Sequence, residues 1–259
     1  MLSDAHIHLV DLLDRDPGFP GRLAAFEWMG CAASHDEPEF LRSEALRQVI
    51  ETGGKARFVS SFGIHPQWAV WKNADFLARL AADRGIAAVG EAGFDFFGDR
   101  PERVRNDENE RAQRAVFEFQ LALAERHDLP ILLHLRKAMD MAFAYASRLK
   151  RLPAVVFHSY SGTVRDTESL LAKGLPAWFS FGTPILKGNK RARAACAAAP
   201  ADRILAETDA PWQPPGGSSY CAFETIEAVI GEMAAIRGAD RGVIEATVEG
   251  NFRLCYALR

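Results

Sequence analysis

The sequence predicts an α/β fold, a (β/α)8 TIM barrel built as a single domain over residues 1–259. Three observations predict it. Eight short apolar runs alternate with helical patterns, the order that builds a parallel sheet wrapped by helices. Most of these runs are apolar on both faces, as strands covered on both sides must be. Residues with metal-ligand chemistry recur at the ends of the runs, where barrels gather their functional groups. An open doubly wound sheet fits less well, because no GxGxxG or GxxxxGK[ST] follows any strand.

The first strand, Asp4–Val10, carries His6 and His8. Residues i and i+2 of a strand face the same way, so the two imidazoles are expected side by side. The second strand is Trp28–Ser34. His35 follows it and reads as a solvated loop histidine in preference to one overhanging the site. A helix over Pro38–Thr52, with Phe40, Leu41, Leu46, Val49 and Ile50 on its apolar positions, stops at Gly53-Gly54. The third strand, Arg57–Ile64, leads into His65-Pro66.

The fourth strand, Ala87–Phe94, holds Glu91 between Gly90 and Gly93, which permit close backbone approach. The charged stretch Phe97–Glu110 lacks apolar periodicity and reads as a solvated loop, its Arg100, Arg103 and Arg105 included. A helix follows over Asn109–His127, with Ala115, Phe117, Phe119, Leu121 and Leu123. His127 precedes the fifth strand and so falls at the opposite end of the barrel from the other histidines. The fifth strand, Pro130–Leu135, delivers His134 and then Arg136. The sixth, Ala154–His158, ends on His158. The seventh is Ala177–Gly182, and the eighth, Arg203–Thr208, leads to Asp209. Two helical patterns, Ser218–Arg237 and Gly242–Leu258, close the chain.

Composition narrows the function. At 48% hydrophobic residues the chain can bury a core of barrel size. A net charge of −3 with no long basic run gives no broad cationic field for nucleic acid, so any such substrate must bind in a local cleft. Cys31, Cys196, Cys221 and Cys255 form no CxxC pair and read as thiols of a reducing compartment. Ligand-type residues beginning at His6 leave no room for a secretory leader, and no apolar run approaches membrane length. A soluble cytoplasmic protein with no membrane partner and no obligate protein partner is expected.

His6, His8, His134, His158, Glu91 and Asp209 together make a divalent-metal site. Any one buried histidine can be a hydrogen-bonded core residue, but several imidazoles and two carboxylates at one barrel mouth need a purpose. Imidazole and carboxylate without thiolate suit Zn²⁺, Mg²⁺ or Mn²⁺. Six groups exceed what one tetrahedral ion requires, which fits one or two ions per chain with Glu91 as the bridge. Asp209, facing the water such a site would hold, is the expected general base.

These residues resemble the TatD family of metal-dependent hydrolases, within the amidohydrolase-like barrels. Asp4-Ala5-His6-Ile7-His8-Leu9 is similar to its first signature, and Gly63-Ile64-His65-Pro66 to its GxHP segment. Gly90-Glu91-Ala92-Gly93-Phe94-Asp95 resembles GExGLD. Gln113, Phe117 and Gln120 resemble its Q…F…Q helix, and Pro130–Arg136 follows in order. His158-Ser159-Tyr160-Ser161-Gly162 stands where the family has HCFSG. Glu207-Thr208-Asp209-Ala210-Pro211-Trp212 is similar to ETDAP plus an aromatic, and Asn251-Phe252 to a closing NF.

The resemblance implies a (β/α)8 barrel in which His6, His8, Glu91 and Asp209 hold one ion while Glu91, His134 and His158 hold a second. It also implies hydrolysis of DNA phosphodiester bonds, with nucleic acid as substrate. The chain departs from the pattern after Pro211, where a basic residue and Asn-x-Pro are replaced by Gln213-Pro214-Pro215-Gly216-Gly217. Its Phe97–Glu110 stretch is also longer than the pattern.

His65 and Arg136 are expected phosphate contacts, and Trp212 a stacking surface for a base or sugar. Against these stand an Arg136 paired to a carboxylate of the barrel mouth and a Trp212 plugging the rim. Two other functions compete with the nuclease: an ester or amide hydrolase of deacylase type, acting for example on aminoacyl ends, and a non-catalytic barrel. The complete ligand set argues against the last.

Overall fold

The computed structural model describes residues 1–258. Eight parallel strands follow one another around a single sheet: β1 (Leu2–Ile7), β2 (Trp28–Ser34), β3 (Arg57–Phe62), β4 (Ala88–Asp95), β5 (Ile131–Arg136), β6 (Val155–Phe157), β7 (Ala177–Phe181) and β8 (Ile204–Ala206). All neighbours are parallel, and the apolar runs named from the sequence are these strands to within a few residues.

The chain segment after β8 turns back onto β1. Ile7 and Ala210 form a parallel bridge, His8 N donates to Ala210 O at 2.8 Å, and Asp209 N donates to His6 O at 3.0 Å. The Asp4 carboxylate reinforces this seam, accepting from Thr208 N at 2.9 Å and Thr208 Oγ1 at 2.6 Å. The join therefore sets Asp209 beside His6 and His8.

The interior below the site is apolar. Leu132, Val156 and Leu205 lie in one buried cluster, two residues before His134 on β5, His158 just past β6 and Glu207 just past β8. The period-two rule puts each pair on one face, so the apolar floor and the polar groups above it come from the same alternation. Phe252, Cys255 and Tyr256, at the end of the Arg241–Cys255 helix, close the far end, and the Tyr256 hydroxyl donates to Ala5 O at 3.0 Å. The second, larger apolar layer packs between strands and outer helices.

Register shifts interrupt β1 between Asp4 and Ile7 and β4 between Val89 and Ala92, bracketing His6 and Glu91. Such irregularities re-aim side chains and are common beside functional sites. The glycines of β4 allow this packing. A Cβ on Gly90 would lie 2.5 Å from Leu132 Cβ, and one on Gly93 would lie 2.2 Å from His134 O.

Two expectations are corrected. The Phe97–Glu110 stretch is not wholly a solvated loop: Pro101–Arg103 forms a short 3-10 turn and a helix begins at Asp107. Asp107, Glu108 and Glu110 fill that helix's first turn, where acidic side chains complement the helix dipole, and the Asn106 side chain caps it. The helical pattern from Ser218 starts only at Thr225, because the Pro214–Ser219 stretch favours turns.

Candidate metal centre

The C-terminal mouth of the barrel gathers the imidazoles and carboxylates named from the sequence. His8 lies just past β1 in extended conformation, so the strand alternation carries through to it. His6 Nε2 and His8 Nε2 are 3.1 Å apart. His6, His8, Glu91, His134, His158 and Asp209 are all buried.

Glu91 sits at the centre, and its two oxygens face different partners. Oε2 lies 3.2 Å from His6 Nε2 and 3.6 Å from His8 Nε2. Oε1 lies 3.0 Å from His134 Nδ1 and 3.5 Å from His158 Nε2. Asp209 spans the other side, with Oδ1 3.4 Å from His8 Nε2 and Oδ2 3.8 Å from His158 Nε2. Its backbone adopts a left-handed φ of 57°, costly for a residue with a Cβ and common at functional sites. Gln213 Nε2 donates to Asp209 Oδ2 at 2.6 Å.

A second ring of carboxylates holds two of the imidazoles. Asp95 Oδ2 lies 3.0 Å from His134 Nε2, and Glu207 Oε2 lies 3.1 Å from His158 Nδ1. Glu207 Oε1 also accepts from Ser159 N at 2.7 Å. Carboxylates behind ligand histidines fix ring orientation and raise basicity. Asp95 and Glu207 stand in the GExGLD-like and ETDAP-like segments, where the sequence assigns them no role. Asp95 is four residues from Glu91 on β4, a spacing that puts both on one face, whereas Glu207 and Asp209 lie past the end of β8 and the left-handed backbone at Asp209 breaks the alternation.

Asp95 also explains Arg103. The arginine is buried, donating to Asp95 Oδ2 at 2.8 Å and Asp99 Oδ2 at 2.9 Å, which corrects its expected place on a solvated face. His35 is corrected as well. It turns into the site, with Nε2 3.2 Å from Glu91 Oε2.

The electrostatics divide the histidines. Burial works against charge on His158 and His8, but Glu207, Asp209 and Glu91 hold His158 up at about 10. A hydrogen bond of His8 to Asp209, then the charges of Glu91 and Asp209, hold His8 at about 9. Burial, then His134, pushes His65 down to about 3; burial and His158 lower His6. Burial alone would raise Glu91, yet the surrounding imidazoles keep it well below the usual carboxylate range. Asp209 is lowered to about 2 for the same reason, against burial and chiefly through His158.

This donor set fits divalent ions. Among the described residues, Glu91 and Asp209 have no Lys or Arg within ion-pair distance, only imidazoles. Buried carboxylates demand a cation, and imidazole nitrogens with carboxylate oxygens are its usual ligands. His6 with Glu91 and His158, and His6 with His8 and Asp209, each cluster closely enough to hold an ion. All four cysteines are free, buried and outside these groups.

The centre opens into a cleft of about 1250 Å³. Its walls include His65, Arg136, Lys137 and the exposed aromatic rings of Trp68, Phe97 and Trp212. His65 is buried, with Nε2 3.7 Å from Glu91 Oε1. Arg136 is exposed and lies over the Phe97 ring at 4.0 Å, an aromatic partner in place of the alternative carboxylate one. Trp212 is 46% exposed rather than plugging the rim, and its Nε1 donates to Asp11 Oδ2 at 3.2 Å. His127 lies at the end of the Asp107–His127 helix, away from the mouth.

Comparison with known proteins places this architecture. The family described as "TatD related DNase" matches residues 3–257. The chain belongs to the TatD-related DNase family. Among its TatD relatives, the "3'-5' ssDNA/RNA exonuclease TatD" of Erwinia tasmaniensis is 33% identical over 211 residues, covering 77% of this chain and 78% of the relative. The protein of the same name from Pantoea ananatis is 34% identical over 211 residues, with 77% and 78% covered. The crystal structure of YjjV, a TatD homologue from Escherichia coli K12, matches with a TM-score of 0.83 at 24% identity, covering 100% of this chain and 98% of that one. That likeness shows the TatD barrel fold.

Proposed function

We propose that this protein is a divalent-metal-dependent phosphodiesterase that trims single-stranded DNA or RNA from the 3′ end. The observation that carries the reading is the division of Glu91, whose Oε2 faces His6 and His8 while Oε1 faces His134 and His158. In this reading His6, His8, Glu91 and Asp209 hold one ion, and Glu91, His134 and His158 a second. One or two Zn²⁺, Mg²⁺ or Mn²⁺ ions, when bound, would activate a water and offset the charge of the scissile phosphate.

The chain's own residues do the rest. Asp209 takes the proton as general base, its Oδ2 oriented by Gln213. Glu207 and Asp95 hold His158 and His134 in place. His65 and Arg136 contact the phosphate, and Trp212 offers a face for a base or sugar. The relatives named above are exonucleases on ssDNA and RNA, which supports this substrate class. A local cleft rather than a cationic surface suits a chain with net charge −3.

We also propose a cytoplasmic location, in keeping with four free buried cysteines. No helix among the described residues is long and apolar enough to cross a membrane.

The test is digestion of end-labelled single- and double-stranded DNA and RNA by metal-reconstituted protein, beside Asp209→Ala. Progressive shortening from the 3′ end, absent in the variant, is expected. Cleavage that persists in the variant, or ester or amide hydrolysis without phosphodiester cleavage, would overturn the reading.

A further inference from the structure

His35 stands outside the six groups assigned above, yet its ring is directed at the centre. Its Nε2 lies 3.2 Å from Glu91 Oε2, the distance at which His6 Nε2 approaches that oxygen. Ligand atoms of His8, His35 and Glu91 all fall within 4.8 Å of one another. Donors on one ion at about 2.0–2.1 Å stand roughly 3.0–3.4 Å apart when adjacent. The His35–Glu91 separation belongs to that range.

The loop after β2 holds the residue in position. His35 N donates to Glu39 Oε2 at 2.7 Å, and its carbonyl accepts from the buried Asn73 side chain at 3.0 Å. Its Nδ1 is buried without a hydrogen-bond partner, so no other protein group engages the ring through that atom. The side chain is 20% exposed, far from a solvated surface histidine.

We propose that His35 is a seventh ligand side chain of the centre, serving the ion on the His6–His8 side of Glu91. The inference rests on the metal-centre reading above. It adds an imidazole to His8 and Glu91, with which His35 clusters, and a further imidazole favours Zn²⁺ and its neighbours over the oxygen-seeking Mg²⁺. That side is therefore the tighter of the two and fills first.

The experiment is a metal titration of the whole protein without substrate, comparing wild type with His35→Ala and His35→Gln. Zn²⁺ and Mg²⁺ affinities are read by calorimetry, and Co²⁺ binding by visible absorption, whose intensity reports coordination number. Only backbone bonds anchor residue 35, so both variants should match the wild-type circular dichroism. The expected result is a loss of about tenfold or more at the tighter Zn²⁺ site, with a smaller change for Mg²⁺ and a stronger Co²⁺ band. Wild-type affinities and an unchanged Co²⁺ spectrum in both variants would overturn the proposal, whatever happens to turnover. A fall in turnover alone would reassign His35 to substrate. Wild-type protein that binds no ion would instead overturn the metal-centre reading itself.

Discussion

The Gln113 side-chain amide satisfies both backbone groups of Asp95: Oε1 accepts from Asp95 N at 2.8 Å and Nε2 donates to Asp95 O at 3.1 Å. Gln120, two helical turns later, treats Ile64 in the same way at 2.8 and 3.0 Å. One helix thus fixes the ends of β4 and β3, which carry Asp95 and His65 to the mouth. Gln113→Ala should orphan two buried groups and destabilise the fold by about 1–3 kcal/mol. Urea unfolding measures this, and an unchanged midpoint would show that the bonds are replaced by water.

Glu91→Ala and Asp209→Ala should each lower turnover by about 10²-fold or more while the protein remains folded. The two variants should differ in metal content. Glu91 removal should empty both sites, since both histidine sets face it; Asp209 removal should act mainly on turnover. Metal analysis of the purified variants beside kinetics at saturating metal checks the distinction. Wild-type rates in either variant would remove that residue from the mechanism.

Glu207→Gln keeps the size of a buried side chain but removes the charge facing His158 Nδ1. Its first consequence should be a lower His158 pKa, since Glu207 is the foremost influence raising it against burial. Metal affinity should fall about 10–100-fold. NMR titration of His158 in metal-free protein and zinc calorimetry test the two effects together.

In metal-free protein, His158 near 10 and His8 near 9 lie above their unfolded value of 6.5. Their stabilising contribution is complete below pH 6.5 and is lost as pH rises through 9 to 10. His6 and His65 are lowered and act oppositely, costing stability as pH falls below 6.5. Glu91 and Asp209 are lowered carboxylates, whose contribution is lost only toward about pH 2 for Asp209. Chelated protein should therefore be most stable near pH 6.5 and weaken toward pH 9.

Adding metal must displace protons from His8 and His158, so uptake should release protons and tighten with pH. At a hundredfold excess over Kd, each ion should add about 2.7 kcal/mol of stability. Calorimetry in buffers of different ionisation enthalpy counts the protons. No proton release at pH 7.5 would contradict the charge states described.

The order and type of the elements were legible because the strands are short, most are apolar on both faces, and several lead directly into a polar residue. The same signal located His6, His8, Glu91, His134, His158 and Asp209, since a buried strand end leaves few reasons for an imidazole or carboxylate. His35, Arg103 and the division of Glu91 were not legible. Their roles depend on residues distant in the chain: Glu91 for His35, and four strand ends converging around Glu91 itself. Arg103 lies in a charged stretch whose local character is that of a surface; only the approach of Asp95 makes burial favourable. Period-two alternation is a local property and can be read along one strand. Which oxygen faces which ring, and which charge loses its water, depends on how the closed barrel brings those strands together.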